Sequence, residues 1–136
     1  MATINATISV NSDIMSYPIN INTSMVMDKF QSCNGLDETS GMNVKKFNAV
    51  TAVKIIDNTE GTAGKASKVY IRNTGSSKTN FFYVALNASA AASDTTETIG
   101  KLYGGDWMLI PWIATAATTH DICVAPSTTE EMTLEW

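Results

Sequence analysis

Short segments in which apolar and polar residues alternate constrain this chain more than any other feature of its sequence. Residues 3–10, TINATISV, place Ile8 and Val10 on one side and small polar residues on the other. Residues 17–25, YPININTSM, repeat the pattern, with Pro18 suited to the start of a strand or to an edge strand. A period of two residues is that of a half-buried β-strand, so both segments are predicted to be strands.

Turn-forming residues separate further segments of this kind at fairly regular intervals, and no segment keeps a helical period over several turns. Such spacing is typical of antiparallel sandwiches and barrels. A chain of 136 residues can bury one core of ordinary size. We therefore predict a single all-β domain over residues 1–136, an antiparallel, jelly-roll-like β-sandwich of eight or nine short strands, with a flexible loop over residues 31–43.

The segment WMLIPW, residues 107–112, breaks the alternation because both of its faces are apolar. One face would carry Trp107, Leu109 and Pro111, and the other Met108, Ile110 and Trp112. A strand of a small protein normally turns one face to the core and the other to water. Either another segment of the same chain covers the second face, or a neighbouring molecule does.

Charge argues against nucleic acid as a partner. The chain has 9 basic and 13 acidic residues and a formal net charge of -4, whereas phosphate binding needs clustered Lys and Arg. Most basic residues lie between positions 45 and 78, and acids dominate from position 94 onward. If these segments reach opposite sides of the fold, neighbouring copies can meet with opposite signs; if the strands interleave, the signs mix. No apolar run approaches the length of a membrane span, so no membrane partner is predicted.

The inventory of reactive residues is small. His120 is the only histidine, and its neighbour Asp121 would point to the opposite face of a strand, so the two are not predicted to form a catalytic pair. Cys33 and Cys123 are too few for a disulfide scaffold, and whether they form one bridge stays open. With one histidine they cannot supply a zinc site. We predict no enzyme activity, no cofactor and no metal.

Tyr103, Trp107 and Trp112 cluster within ten residues, and three uses are open for them. Large aromatic side chains dominate both cores and subunit interfaces. On an open sheet they can instead stack against sugar rings, so a carbohydrate-binding module is an alternative function.

Five segments in the second half of the chain occur in a recognisable order: KVYIRNTG, FFYVALN, IGKLYGGDWMLIPW, DICVA and TLEW. In this order the chain resembles small all-β virion proteins of tailed bacteriophages, in which a strand ending in Asn-Thr-Gly precedes an "IG.L..G....IP" turn and strand. The resemblance covers residues 68–136, about half of the chain.

The resemblance implies a capsid cement or decoration protein that binds the major capsid protein and stabilises the shell. The alternative within the same particle is a tail, baseplate or head-to-tail connector subunit. Either role implies a component of the virion. We expect it on the capsid surface, after assembly in the host cytoplasm. We also expect a homo-oligomer, either a trimer or a dimer. The residues predicted to make contacts are Tyr103, Trp107, Met108, Ile110, Trp112 and Phe82.

Overall fold

The computed structural model describes residues 4–12, 19–27, 41–60, 66–87, 97–114 and 120–136. In these ranges the chain forms ten strands and no α-helix. The strands are β1 (Asn5–Ser12), β2 (Ile19–Val26), β3 (Val44–Phe47), β4 (Val53–Ile56), β5 (Ala66–Asn73), β6 (Phe81–Leu86), β7 (Thr98–Tyr103), β8 (Trp107–Ile113), β9 (Ile122–Pro126) and β10 (Met132–Glu135). The predicted all-β class is confirmed.

The chain divides into two compact units, residues 1–40 and 41–136. In the first, β1 and β2 pair with each other as an antiparallel hairpin. The second contains β3 to β10, so eight sandwich strands lie in residues 41–136, whereas the sequence had predicted one sandwich over the whole chain. Of the loop predicted at residues 31–43, positions 31–40 lie outside the described residues, and Asn43 exchanges backbone hydrogen bonds with Trp136.

Two four-stranded antiparallel sheets form the second unit. Their strand orders are β3-β10-β5-β8 and β4-β9-β6-β7. Along the chain, every connection from β3 to β10 crosses to the other sheet except that between β6 and β7. This order confirms the predicted jelly roll, an architecture in which two sheets pack face to face.

Core side chains come from alternate positions on both sheets. Ile71 of β5, Phe82 of β6, Ile122 of β9 and Leu134 of β10 are fully buried. Phe47 of β3 meets Phe82 edge to face, with ring centroids 5.3 Å apart and an interplanar angle of 74°. Because the two rings belong to different sheets, their contact joins the layers of the sandwich.

Asn73, at the end of β5, ties the two sheets together by hydrogen bonds. Its side-chain Nδ2 donates to the Leu102 carbonyl at 2.9 Å, and its Oδ1 accepts from the backbone N–H of Gly75 at 3.0 Å. Its own carbonyl accepts from the Gly105 N–H at 3.0 Å. The RNTG segment at the end of β5 and the GGD turn after β7 therefore meet at one point, which we call the Asn73 junction.

Gly104, in the GGD turn, is needed at this junction because another backbone passes against it. Its N–H donates to the Ser77 carbonyl at 2.8 Å, and a Cβ at this position would lie 2.5 Å from backbone atoms of Ser77. Gly105 has φ +91°, in the left-handed region that favours glycine. The two glycines thus place the start of β8, which begins at Trp107.

Candidate assembly surface

The pairing of β8 with β5 decides which side of the WMLIPW segment faces the core. Met108 and Ile110 lie opposite Ile71 and Val69, which are buried between the sheets. The alternate positions of the two strands therefore point away from the core. This outward surface, the β8 outer face, consists of Lys68, Tyr70, Arg72, Trp107, Leu109, Pro111 and Ile113.

The two tryptophans of β8 have opposite environments. Trp112 is 8% exposed, and its Nε1 donates to the His120 carbonyl at 2.6 Å. Trp107 is 51% exposed, and Ile113, at the other end of the strand, is also exposed. One apolar face of this strand is therefore covered by the partner sheet, while the other lies open to solvent.

The contact residues predicted from the sequence are divided between core and surface. Phe82 and Trp112 are buried, and Met108 and Ile110 pack against the same core cluster. Phe82 and Trp112 therefore lie inside the sandwich, and Met108 and Ile110 are partly buried against its core, so none of the four lies on the outward face. The sequence could not separate them from the open face, because both faces of the strand are apolar.

Tyr103 lies on the outer side of the second sheet, where its ring contacts a neighbouring aromatic ring. The Phe81 ring is 5.0 Å from that of Tyr103 and 4.9 Å from that of Tyr83. Lys101 places its ammonium 4.6 Å from the Phe81 centroid and 5.4 Å from that of Tyr83. The Tyr103 ring contacts that of Phe81, and Tyr103 is half-buried, whereas Trp107 is exposed, so Trp107 is the more accessible of the two predicted surface aromatics.

A shallow, open hollow on the β8 outer face is lined by Tyr70, Arg72, Gly105 and Trp107. Arg72 lies directly across from Trp107 in the β5–β8 ladder, and Gly105 has no side chain to fill the space between them. Among the described residues, the Arg72 guanidinium makes no hydrogen bond or ion pair. Tyr, Trp and Arg are the residue types most enriched at the energetic centres of protein interfaces.

Basic and acidic side chains alternate across the first sheet instead of separating to opposite sides. Strand β10, with acids on and beside it, lies between the basic strands β3 and β5. Lys46 pairs with Glu131 at 2.8 Å, and Arg72 lies across from Glu135. Of the two alternatives left open by the sequence, the structure shows the mixed one on this sheet.

A cluster of charges at Lys54 joins β4 to the segment before β9. The Lys54 ammonium is 2.6 Å from the buried Asp121 carboxylate and 2.9 Å from that of Asp57. Both hydrogen bonds raise the pKa of Lys54 above its ordinary value, and the bond to Asp121 has the larger effect. Hydrogen bonds lower the pKa of Asp57 to about 2; the bond from the Thr59 backbone N–H has the largest effect, and the bond from Lys54 has the next largest. Asp121 also accepts from the Asn58 N–H at 2.8 Å.

Among the described residues, the side chains of Asp121 and Cys123, which could take part in catalysis elsewhere, have structural roles. Asp121 accepts hydrogen bonds from Lys54 and from the Asn58 backbone. Cys123 is a free, buried thiol; burial, and then the nearby Asp121 charge, raise its pKa, the reverse of what a nucleophilic cysteine needs. Cys33 lies outside the described residues. In the part of the chain that is described, no three metal-binding side chains come together.

Neither a family model nor a curated protein nor a solved structure matches this chain. Within the described ranges, no helix has the length and apolar character to cross a membrane.

Proposed function

We propose that this protein is a non-enzymatic virion component, a capsid cement or decoration protein that binds the major capsid protein and stabilises the shell. The observation that carries the proposal is the β8 outer face, where Trp107 is 51% exposed beside the exposed Ile113; the other exposed large apolar side chains of this unit are Met42, Val44, Val50 and Ile99 among the described residues. The resemblance of residues 68–136 to small phage virion proteins is the reason for proposing that the protein belongs to a phage particle.

The β8 outer face suits binding to a large, flat partner. It follows the edge strand of a hydrogen-bonded sheet, so its backbone is ordered before binding, which lowers the conformational entropy lost on association. Its centre combines exposed apolar area with Tyr70, Trp107 and the Arg72 guanidinium, which has no hydrogen bond or ion pair to another described residue. A partner that covers it buries the apolar area and supplies oxygen acceptors to Arg72.

The fold agrees with this function without selecting it. Jelly rolls recur in viral capsid proteins and also in lectin domains. Function therefore has to be argued from the surface, and the fold is support by analogy only.

The experiment measures binding of the purified protein to capsids that lack it, by co-sedimentation. The test variant is Ile113→Ser, and the matched control is Ile99→Ser, because Ile99 is a similarly exposed isoleucine on β7 of the other sheet. We expect at least a tenfold loss of capsid affinity for the first and wild-type affinity for the second. Wild-type protein that ignores capsids contradicts the proposal, and immunogold label confined to tails selects the tail or connector alternative.

A carbohydrate-binding module is a second candidate, favoured by the hollow at Trp107. Its two aromatic rings could stack on a sugar, and the Arg72 guanidinium, the Tyr70 hydroxyl and the indole N–H of Trp107 could donate to sugar oxygens. A glycan array decides this candidate. It requires a signal that is lost in Trp107→Ala while the circular dichroism spectrum is unchanged.

A further inference from the structure

The tight turn after β7 carries the chain from the second sheet to the first. It consists of residues Tyr103 to Asp106, and the Asp106 N–H donates to the Tyr103 carbonyl at 2.9 Å, the bond that closes a β-turn. Of its two middle residues, Gly105 has φ +91°, whereas Gly104 does not have a positive φ. A positive φ at the third position alone is the signature of a type II turn.

Type I and type II turns differ by a half-rotation of the peptide unit between the two middle residues. Here that unit joins Gly104 to Gly105, and we call it the central peptide. Neither residue has a Cβ, so steric contacts restrict its rotation very little. A turn built on two glycines therefore needs contacts from outside the turn to keep one orientation.

Both polar groups of the central peptide are held by one segment, residues 73–78, at and after the end of β5. The Gly105 N–H donates to the Asn73 carbonyl at 3.0 Å. The Lys78 ammonium donates to the Gly104 carbonyl, also at 3.0 Å. The two hydrogen bonds hold opposite sides of the same peptide unit, so a rotation of the central peptide would break both of them.

Lys78 has no competing partner that would draw it away from the turn. Its ammonium makes no ion pair and no other hydrogen bond with any described residue. It lies 3.9 Å from the position that a Cβ on Gly105 would occupy, so it reaches across both glycines. The loop that carries Lys78 is itself held in place, because the Gly104 N–H donates to the Ser77 carbonyl at 2.8 Å and the Asn80 N–H donates to Ser77 Oγ at 3.0 Å.

We infer that Lys78 locks the central peptide in its type II orientation and thereby orients Trp107. Gly105 and Trp107 line the same hollow on the β8 outer face. The Asp106 carbonyl, directly before Trp107, accepts from the Asn73 N–H at 3.0 Å, so the segment that holds the turn also fixes the start of β8. Lys78 is thus a positioning residue that acts on the candidate contact surface through the turn. The inference rests on the proposed function only in that Trp107 is taken as a contact residue.

Amide hydrogen exchange at Gly105 measures the lock directly, because rotation of the central peptide frees this N–H. Lys78→Met keeps the length of the side chain and removes the donor. A hydrogen bond of this kind favours the bonded state by about fivefold, so exchange at Gly105 should become about five times faster. Lys78→Arg, which retains a donor, should restore slow exchange. The Gly104 N–H belongs to the preceding peptide and should exchange at the wild-type rate in both variants.

The matched control is Lys46→Met. Lys46 is also an exposed lysine, and its ammonium donates to Glu131 at 2.8 Å. This variant should leave exchange at Gly105 unchanged. Equal exchange rates at Gly105 in the wild type and in Lys78→Met overturn the inference, and so does an equal acceleration in Lys46→Met.

NMR relaxation dispersion tests the link to Trp107. If the turn orients this residue, a lock that opens more often should give dispersion on the microsecond-to-millisecond timescale at the backbone and indole N–H of Trp107 in Lys78→Met. Lys78→Arg and Lys46→Met should show the flat wild-type profile. A flat profile at Trp107 in Lys78→Met overturns the link.

Neither measurement uses capsids, so failure of the lock is separable from failure of the proposed function. If Gly105 exchanges faster in Lys78→Met while the wild-type protein ignores capsids, the lock stands and the cement function does not. If Ile113→Ser loses capsid affinity while Gly105 exchanges at the same rate with and without Lys78, the cement function stands and the lock does not.

Discussion

The Asn73 junction offers the sharpest test of how this fold is held together, through the substitution Asn73→Ala. Asn73 is 1% exposed, and its side chain makes hydrogen bonds of 2.9 and 3.0 Å to the Leu102 carbonyl and the Gly75 N–H. Loss of the hydrogen bond to Gly75 costs about 1 kcal/mol net, and leaving the buried Leu102 carbonyl without its donor costs about 1–3 kcal/mol. We expect the free energy of unfolding to fall by about 2–4 kcal/mol.

Urea unfolding followed by tryptophan fluorescence measures this loss. With an m-value of about 2 kcal/mol per molar, the midpoint should fall by about 1–2 M. The matched control is Asn80→Ala, which removes an exposed side-chain hydrogen bond of 2.7 Å to Glu130 and should cost less than about 0.5 kcal/mol.

Asn73→Asp separates the two hydrogen bonds of the junction. An ionised aspartate can still accept from the Gly75 N–H, but it cannot donate to the Leu102 carbonyl. At neutral pH this variant should be at least as unstable as Asn73→Ala. A midpoint for Asn73→Ala equal to that of Asn80→Ala would refute the reasoning, because it would mean that the cross-sheet hydrogen bond contributes nothing.

Three further predictions concern the second unit. Gly104→Ala should cost several kcal/mol in urea unfolding, because its Cβ would lie 2.5 Å from a facing backbone that cannot move aside cheaply. Phe82→Ala should cost about 3–5 kcal/mol as a core truncation, whereas Trp107→Ala should cost less than about 1 kcal/mol; equal losses would contradict the assignment of Trp107 to the surface. Asp57, with its pKa lowered from 3.8 to about 2, should stabilise the fold above pH 4 and lose that contribution as the pH falls toward 2, so unfolding of Asp57→Asn should depend less on pH in this window.

The strands and the sandwich class could be predicted because they depend on local information. The period of two residues in TINATISV and the turn residues between segments are sufficient to mark strands, and strands at this spacing form sandwiches. The topology that places β10 between β3 and β5 depends on pairing between distant segments. For that reason the sequence alone left open whether the charges of Lys46 and Glu131 separate or meet, and the structure pairs them.

The surface residues were harder to predict than the strands, for a reason visible in β8. Its two faces are equally apolar, and only the pairing with Val69 and Ile71 turns Met108 and Ile110 inward. The role of Asn73 in joining the two sheets could not be predicted for a different reason, because a polar residue at the end of a strand looks like an ordinary turn residue. Its partner, the Leu102 carbonyl, lies 29 residues away in the other sheet.

The sequence of the edge strand β8 indicates how a partner could bind the β8 outer face. Strand β8 is an edge strand, and Pro111 within it lacks the N–H that a continuous added strand would need. Such an edge disfavours growth of the sheet, so a partner that covers the β8 outer face would bind by side-chain packing.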